Sequence, residues 1–283
     1  MTSNAITQLS GFGQLKDLPC YVLRCGQASA VISRYGAHLL SYKPKAEVEV
    51  IYLSPEAVWH NNTPIRGGVP VCWPWFGPAA AEFNPAAQKL PNHGVVRTEL
   101  WHVVKESVTE AAVSIELRIA NKTLPYANAP SYLSLTLQLT EEALTLKLNS
   151  DQGVQQAALH SYFNVDSVHQ VCVSTLAGDY LDKLKAGERS VQRQPELKFT
   201  AEVDRVYLDT AAELTLQQQG SAVQITQQGH DASVLWNPWA EKATALKDLP
   251  DLGYLDFVCV ETARLSLTNT APLQLVQQIR YLG

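Results

Sequence analysis

The stretch Leu133-Ser-Leu-Thr-Leu-Gln-Leu-Thr-Glu-Glu-Ala-Leu-Thr-Leu-Lys-Leu148 decides the fold class of this chain. Leucine occupies every second position in its first seven residues and again in its last five, and polar residues fill the gaps. A period of two puts all the leucines of an extended strand on one face. Residues 140–143 separate the two runs. The pattern therefore predicts two half-buried antiparallel strands joined by a hairpin loop.

The same alternation recurs along the chain. It occupies residues 113–119, it flanks a predicted hairpin loop at 217–221, and it closes the chain as a predicted strand pair at 265–267 and 273–275. One segment, 238–246, predicts a short helix with Asn237 as its cap and proline at its first position. No linker or composition break divides the sequence. We therefore predict an all-β protein in which residues 1–283 form a single large antiparallel β-sandwich domain.

Composition excludes several classes of function. The 283 residues are 46% hydrophobic and carry a net charge of −5, without a Lys/Arg cluster that would bind nucleic acid or a membrane surface. Residues 1–8 lack the basic and apolar regions of a signal peptide, and no apolar run is long enough to span a bilayer. The five cysteines predict free thiols. We expect a cytoplasmic monomer whose partner is a small molecule.

Residues 59–97 depart from the strand pattern and are rich in proline, glycine and aromatic residues. Long irregular segments within compact domains are more often functional than idle. Gly67 and Gly68 lie in this segment, and we expect them to let the main chain approach a ligand closely.

His160 and Glu261 each lie at the end of an apolar, strand-like run. An ionisable group in such a run is costly to bury without a partner or a task. An imidazole can give a proton near neutral pH and a carboxylate can take one, which is what opening and reclosing a cyclic hemiacetal sugar requires. Two structural alternatives stay open: a core histidine bonded to a carbonyl, and a strand-end glutamate paired with Arg264 or another cation.

Six sequence blocks occur in an order that resembles the hexose-6-phosphate mutarotases, a branch of the aldose 1-epimerase (galactose mutarotase-like) family. They are Arg66-Gly-Gly-Val-Pro-Val-Cys-Trp-Pro-Trp-Phe-Gly77, Asn92-His-Gly-Val-Val-Arg97, Leu159-His-Ser-Tyr-Phe163, Asp204-Arg-Val-Tyr207, Val234-Leu-Trp-Asn-Pro-Trp239 and Phe257-Val-Cys-Val-Glu261. The resemblance implies a single large β-sandwich, in agreement with the periodicity. It also implies interconversion of the anomers of an aldohexose 6-phosphate such as glucose 6-phosphate.

The resemblance further implies roles for individual residues. His160 would be the general acid and Glu261 the general base. The phosphate would lie near Arg66 and Arg97, where a guanidinium can donate two parallel hydrogen bonds. Two further residues, His93 and Asp204, would bind hydroxyls. Neither a metal nor a redox cofactor is expected.

Each binding residue also has a structural interpretation. The two arginines could form ion pairs within the protein, His93 could be a surface turn residue, and Asp204 could pair with Arg205. Trp236 could stack on a pyranose ring or simply pack in the core.

Three other functions remain possible from the sequence. The first is a mutarotase for free hexoses. The second is a glycoside hydrolase that uses Glu261 and Asp204 as its carboxylate pair. The third is a non-catalytic sugar-phosphate-binding protein.

Overall fold

The computed structural model describes residues 4–60, 62–120 and 124–283. Within these residues the regular secondary structure consists mostly of strands. In chain order they are β1 (Ala5–Phe12), β2 (Leu15–Cys25), β3 (Ala28–Ser33), β4 (Leu39–Lys43), β5 (Val71–Cys72), β6 (His102–Val108), β7 (Val113–Ala120), β8 (Tyr132–Leu139), β9 (Leu144–Ser150), β10 (Ala157–Leu159), β11 (Tyr162–Asn164), β12 (Cys172–Ser174), β13 (Gly178–Asp182), β14 (Glu188–Gln192), β15 (Glu196–Lys198), β16 (Val203–Leu208), β17 (Glu213–Gln218), β18 (Ser221–Gln228), β19 (Ala232–Asn237), β20 (Phe257–Arg264) and β21 (Leu273–Tyr281). Residues 1–3, on which the signal-peptide prediction partly rests, lie outside the described residues.

The strands form two large antiparallel sheets and one small one. A nine-stranded sheet has the order β15-β12-β17-β18-β21-β9-β8-β7-β6, and an eight-stranded sheet has the order β14-β13-β16-β19-β20-β10-β5, with β11 also pairing with β20. Strands β1 to β4 form the third sheet. The prediction of an all-β sandwich of large antiparallel sheets is therefore confirmed.

The leucine-rich hairpin forms as predicted. Strands β8 and β9 pair with Leu139 opposite Leu144, and all seven leucines of the two runs are fully buried. The second predicted hairpin, β17–β18, also forms, but its turn is tighter than the predicted loop because Gln217 and Gln218 continue the ladder as far as Ser221. Gln217 is exposed and Gln218 is half-buried, so the ladder continues through them without burying a glutamine side chain.

The predicted strand pair at 265–275 is wrong. Strand β20 ends at Arg264, and the Asp231 carboxylate accepts hydrogen bonds from the main-chain N–H groups of Leu265 (2.6 Å) and Ser266 (2.9 Å). These bonds turn the chain out of the eight-stranded sheet. It then enters the nine-stranded sheet as β21, between β9 and β18. Alternation in the sequence identified the apolar positions but not the sheet to which each run belongs.

Helix is scarce, as expected. The α-helix α1 (Trp239–Ala245) begins one residue later than predicted, since Pro238 is its N-cap residue rather than its first helical residue. Asn237 does cap this end, because its side-chain oxygen accepts from the Trp239 N–H at 2.9 Å. Short 3₁₀ turns lie at Val168–Gln170, Lys183–Lys185 and Gly253–Leu255. None of the helices in the described part of the chain is long and apolar enough to cross a membrane.

The eight-stranded sheet has two different apolar faces. Its inner face contributes Phe163, Leu235, Val258 and Val260 to the main core, which it shares with the leucines of the nine-stranded sheet. Its outer face carries small residues such as Ala158, Val234 and Ala263 in a separate cluster. The outer face is therefore free to carry a site, while the inner face holds the sandwich together. All five cysteines are free thiols, and all but Cys172 are buried.

Among the residues of the irregular segment 59–97 that the structure describes, β5 is the only strand, and it is two residues long, as the composition of the segment predicted. Gly67 and Gly68 have φ angles of 92° and 68°. A Cβ atom on Gly68 would approach the Leu39 carbonyl oxygen to 2.3 Å and His38 Nε2 to 2.4 Å. The expectation that these glycines face a ligand is therefore wrong, because the close contact is with the protein itself.

His38 fastens this segment to the sandwich. It is buried, and its Nε2–H donates to the Gly67 carbonyl oxygen at 2.7 Å. Burial lowers the pKa of His38 to about 4, although its hydrogen bond to Gly67 acts in the opposite direction. The ring is therefore neutral in the folded protein, whereas an unfolded histidine has a pKa near 6.5.

We predict that the free energy of unfolding decreases as the pH falls from about 6.5 towards 4, since protons then bind the unfolded chain more than the folded one. The contribution of His38 is up to about 1.4 kcal/mol per pH unit. Urea unfolding of wild type and His38→Gln across this pH range gives the free energy of unfolding of each protein. The contribution of His38 is the difference between the two slopes of that free energy against pH. The exposed His102→Gln variant is the control, and equal slopes for His38→Gln and wild type would contradict the prediction.

Candidate active site

A cavity of about 440 Å³ opens on the outer face of the eight-stranded sheet, within the ~300–1,000 Å³ usual for small-molecule sites. It brings together all seven residues predicted from the sequence. They are Arg66, His93, Arg97, His160, Asp204, Trp236 and Glu261.

Strand register builds the floor of this cavity. The cross-strand pairs Leu159–Thr262 and Tyr162–Cys259 share one register, so His160 falls opposite Glu261 on the same face. Directly opposed residues have Cβ atoms only about 4.5–5.5 Å apart. The acid and base candidates are therefore brought together by sheet pairing across a separation of a hundred residues.

A second row of side chains lies two residues along each strand. Tyr162 of β11, Trp236 of β19 and Asp204 of β16 belong to it, because Trp236 is opposite both Asp204 and Cys259. Side chains two positions apart share a face of a strand. The two rows thus form one continuous platform under the cavity.

His160 and Glu261 are in direct contact. The distance from His160 Nε2 to Glu261 Oε1 is 3.3 Å, and the side chains are 12% and 1% exposed. Nε2 faces a carboxylate rather than a carbonyl. The alternative pairing of Glu261 with Arg264 is wrong, because the Arg264 guanidinium donates to the carbonyl oxygens of Ala271 and Pro272.

Burial dominates the electrostatics of this pair. It raises the pKa of Glu261 well above its usual value, and nearby Asp204 adds to the shift while Lys183 opposes it. The pKa of His160 is lowered by burial and by its neighbours His93 and Arg97. An ionised Glu261 is therefore a stronger base than a free carboxylate, and a protonated His160 is a stronger acid than a free imidazolium.

His93 lies beside the pair, with its ring 5.7 Å from that of His160. Its Nδ1 accepts from the Gly77 N–H at 3.3 Å and lies 3.5 Å from Cys72 Sγ. Burial, reinforced by Arg97, lowers the pKa of His93 to about 3. The neutral ring then carries its hydrogen on Nε2, which can donate to a hydroxyl. The interpretation of His93 as a surface turn residue is wrong.

Asp204 also belongs to the cavity rather than to a surface ion pair. The neighbouring Arg205 lies on the other face of β16, where its guanidinium stacks on Tyr180 (4.6 Å). The Asp204–Arg205 alternative is therefore wrong. Burial raises the pKa of Asp204, while Lys183 and Lys242 oppose the shift. Trp236 lies edge-on to the His160 ring at 6.1 Å and lines the cavity.

The arginines differ in their partners. Arg66 forms an ion pair with Asp248 (3.1 Å), and its NH1 atom donates to the Tyr162 hydroxyl at 3.1 Å. The structural alternative thus holds for Arg66, although it still lines the cavity. Arg97 forms no ion pair within the described residues and donates to the Asn92 carbonyl oxygen at 2.6 Å.

Several residues that line the cavity had no role predicted from the sequence, among them two lysines and a tyrosine. Lys183 and Lys242 both line the site, and Lys183 lies 5.2 Å from the centre of the Phe76 ring. Neither lysine lies within a recognisable block, so the sequence carried no signal for them. Tyr162 was inside a block but was given no role. Its ring stacks on His160 at 5.1 Å with an angle of 14° between the planes.

No group of three or more His, Cys, Asp or Glu side chains that could hold a metal ion occurs in the ranges that the structure describes. The expectation that neither metal nor cofactor takes part stays a prediction.

Comparisons with known proteins agree on one family. The family model for aldose 1-epimerase matches residues 19–271. A protein of Escherichia coli (strain K12), provisionally named a glucose-6-phosphate 1-epimerase, is 34% identical, and the match covers 94% of this chain and 92% of that protein. A protein of Cenchrus ciliaris with the same provisional name is 31% identical over 83% of this chain and 74% of its own length.

Solved structures give the same result. A crystal structure from Salmonella typhimurium, provisionally assigned as a mutarotase, has a TM-score of 0.88 and 31% identity, covering 98% of this chain and 93% of that one. Galactose 1-epimerase from Lactobacillus acidophilus has a TM-score of 0.73 at 14% identity, and the match covers 99% of this chain and 98% of that one. The two proteins share the fold. On the family match and the identity over nearly its whole length, this chain belongs to the aldose 1-epimerase family.

Proposed function

We propose that this protein interconverts the α and β anomers of an aldohexose 6-phosphate, with glucose 6-phosphate as the expected substrate. The observation that carries the proposal is the 3.3 Å contact between His160 and Glu261 on the floor of a cavity lined by four cationic side chains. The name given to the Escherichia coli relative supports the same substrate.

Ring opening needs one acid and one base at neighbouring oxygens. Glu261 takes the proton from the anomeric hydroxyl, His160 gives a proton to the ring oxygen, and the bond between C1 and the ring oxygen breaks to leave an aldehyde. Rotation about the C1–C2 bond exposes the other carbonyl face, and the reverse transfers close the ring. Both oxygens are bonded to C1, so the acid and base must lie close enough to reach one anomeric centre, and His160 and Glu261 are 3.3 Å apart.

The buried setting helps this proton exchange. Opening converts an imidazolium–carboxylate pair into a neutral imidazole and a carboxylic acid. Burial disfavours charged forms, so the environment that raises the pKa of Glu261 and lowers that of His160 promotes the transfer. The pair holds one proton before and after the step, and closure restores its starting form.

Three further side chains suit the sugar itself. His93 can donate from Nε2 to a hydroxyl, and Asp204 can accept from one. Trp236 offers an aromatic ring at the cavity wall, against which the C–H face of a pyranose can pack. The nearest ionisable partner of Glu261 is a histidine, which argues against a carboxylate-pair hydrolase.

Charge within the cavity supports a phosphorylated substrate. Its lining contains Arg66, Arg97, Lys183 and Lys242, although the chain as a whole is acidic. Asp248 neutralises Arg66, and Glu202 pairs with Lys242 at 2.9 Å. Arg97 and Lys183 form no ion pair in the described ranges. They are therefore the two cations best able to bind a phosphate, with Arg66 beside them.

We predict that His160→Ala and Glu261→Gln each lower kcat/KM for anomer exchange by about 10²–10⁴, because each removes a positioned proton-transfer group. The double variant should lose little more than either single variant, since the two groups act as a unit. Saturation-transfer NMR of the two anomers measures the exchange rate directly.

Exposed residues of the same types provide the controls for this experiment. His102→Ala and Glu196→Gln should leave the exchange rate within twofold of wild type. Circular dichroism checks that every variant is folded. Folded His160→Ala and Glu261→Gln proteins that exchange anomers at the wild-type rate would refute the proposal.

We predict that Lys183→Met and Arg97→Met each lower kcat/KM for glucose 6-phosphate by about 10- to 100-fold, the usual loss of one hydrogen bond to a charged group. Replacement of both Arg97 and Lys183 should remove most of the preference over glucose. Lys185→Met is the matched control, because Lys185 belongs to the same 3₁₀ turn as Lys183 but does not line the cavity. A wild-type enzyme that treats glucose and glucose 6-phosphate alike would indicate a mutarotase for free hexoses.

A further inference from the structure

A buried hydrogen-bond network lies behind the active site, between the two large sheets. Its central residue is Gln277 of β21, which is fully buried and projects from the nine-stranded sheet towards the eight-stranded one. The Gln277 side-chain oxygen accepts from the Ser161 hydroxyl, and its Nε2 donates to Thr262 Oγ1 at 2.9 Å. A weaker bond reaches the Val260 carbonyl oxygen at 3.3 Å.

The two side chains that hydrogen-bond to Gln277 are those of Ser161 and Thr262, which directly follow His160 and Glu261 in the chain. Successive side chains of a strand point to opposite faces. The acid and base therefore face the cavity, while Ser161 and Thr262 face the core. One amide group thus joins, from behind, the two backbone segments that carry the acid and the base.

The backbone ladder is interrupted at this point. Strand β10 ends at Leu159 and β11 begins at Tyr162, and between them the Ser161 N–H turns back to the Leu159 carbonyl oxygen at 3.0 Å. The backbone of this segment is joined to β20 by the bond from the Val260 N–H to the Ser161 carbonyl oxygen, at 3.1 Å, whereas the His160 N–H donates to the Pro70 carbonyl oxygen at 3.0 Å. Sheet pairing alone therefore holds His160 opposite Glu261 less firmly than a continuous ladder would.

We propose that Gln277 is a positioning residue for anomer exchange, because its amide fixes the segment that carries His160 against the strand that carries Glu261. This inference rests on the proposed function of the site. Proton transfer depends on the spacing of the two groups, and a shift of about 1 Å can cost about 10²-fold in rate. Glutamine suits the role since its amide can accept from one hydroxyl while it donates to another.

The rest of the network holds the Gln277 amide in its orientation. Gln227 is the cross-strand neighbour of Gln277, and its side-chain oxygen accepts from Thr262 Oγ1 at 2.8 Å. Gln227 is held in turn by Ser233, at 2.9 and 3.0 Å. Ser233 lies opposite Thr262 in the pairing of β19 with β20, but among the described residues no side-chain hydrogen bond joins it to Thr262 or to Ser161. It therefore offers a matched control.

The test compares Gln277→Met, which keeps the length of the side chain but removes the amide, with Ser233→Ala in the same network. We expect Gln277→Met to lower kcat by about 10- to 100-fold and to change KM by less than twofold, because the residues that line the cavity are retained. Ser233→Ala should leave kcat within twofold of wild type. A folded Gln277→Met protein with wild-type kcat, or an equal loss in both variants, would overturn the inference.

Ser161→Ala provides a second test if Gln277→Met fails to fold. It removes only the bond between Gln277 and the segment that carries His160, and we expect it to lower kcat at least tenfold without a change in KM. Wild-type kcat in a folded Ser161→Ala protein would again overturn the inference.

An NMR titration separates this inference from the proposed function. In Gln277→Met the ring signals of His160 should titrate at a changed pH, while those of His38 should not move. A wild-type protein that accelerates no anomer exchange would refute the function, and the histidine titration would still test whether Gln277 controls His160. An unchanged His160 titration in the folded variant would count against the positioning role.

Discussion

A carboxylate that is 1% exposed and faces an imidazole at 3.3 Å is the constraint on which the site depends. Moving an ion of this kind out of water costs several kcal/mol. The fold meets this cost by placing a proton-exchange partner directly opposite Glu261 and by keeping both groups in one register of the eight-stranded sheet. The same burial that makes the pair costly gives each group its strength as base or acid.

The two faces of the eight-stranded sheet have different roles. The inner face is packed against the leucines of the nine-stranded sheet, and the buried side chains of Gln277 and Thr262 hydrogen-bond each other within this layer. The outer face carries the proposed acid, the proposed base and the cavity. A substitution in the core can therefore alter the rate of the proposed reaction without changing a residue that contacts the substrate.

The sequence was a good guide wherever a signal was local. Alternating leucines predicted β8 and β9, and the block around His160 predicted a residue that does line the cavity. It failed where the outcome depended on long-range pairing. The run at 265–267 has strand-like alternation, yet Asp231 turns it out of the sheet. Lys183 had no motif around it, since its position in the cavity follows from how β13 pairs with β16.

The sequence by itself determined the fold class, the two residues of the proposed acid–base pair and the aromatic and glycine-rich segment beside them, because these depend on residue type and local period. Only the tertiary structure decided that His160 and Glu261 are in contact, that Arg66 is neutralised by Asp248, and that one glutamine links the backbones behind the site. These relations join residues about a hundred positions or more apart, and their geometry is set by strand register and sheet packing rather than by any local pattern.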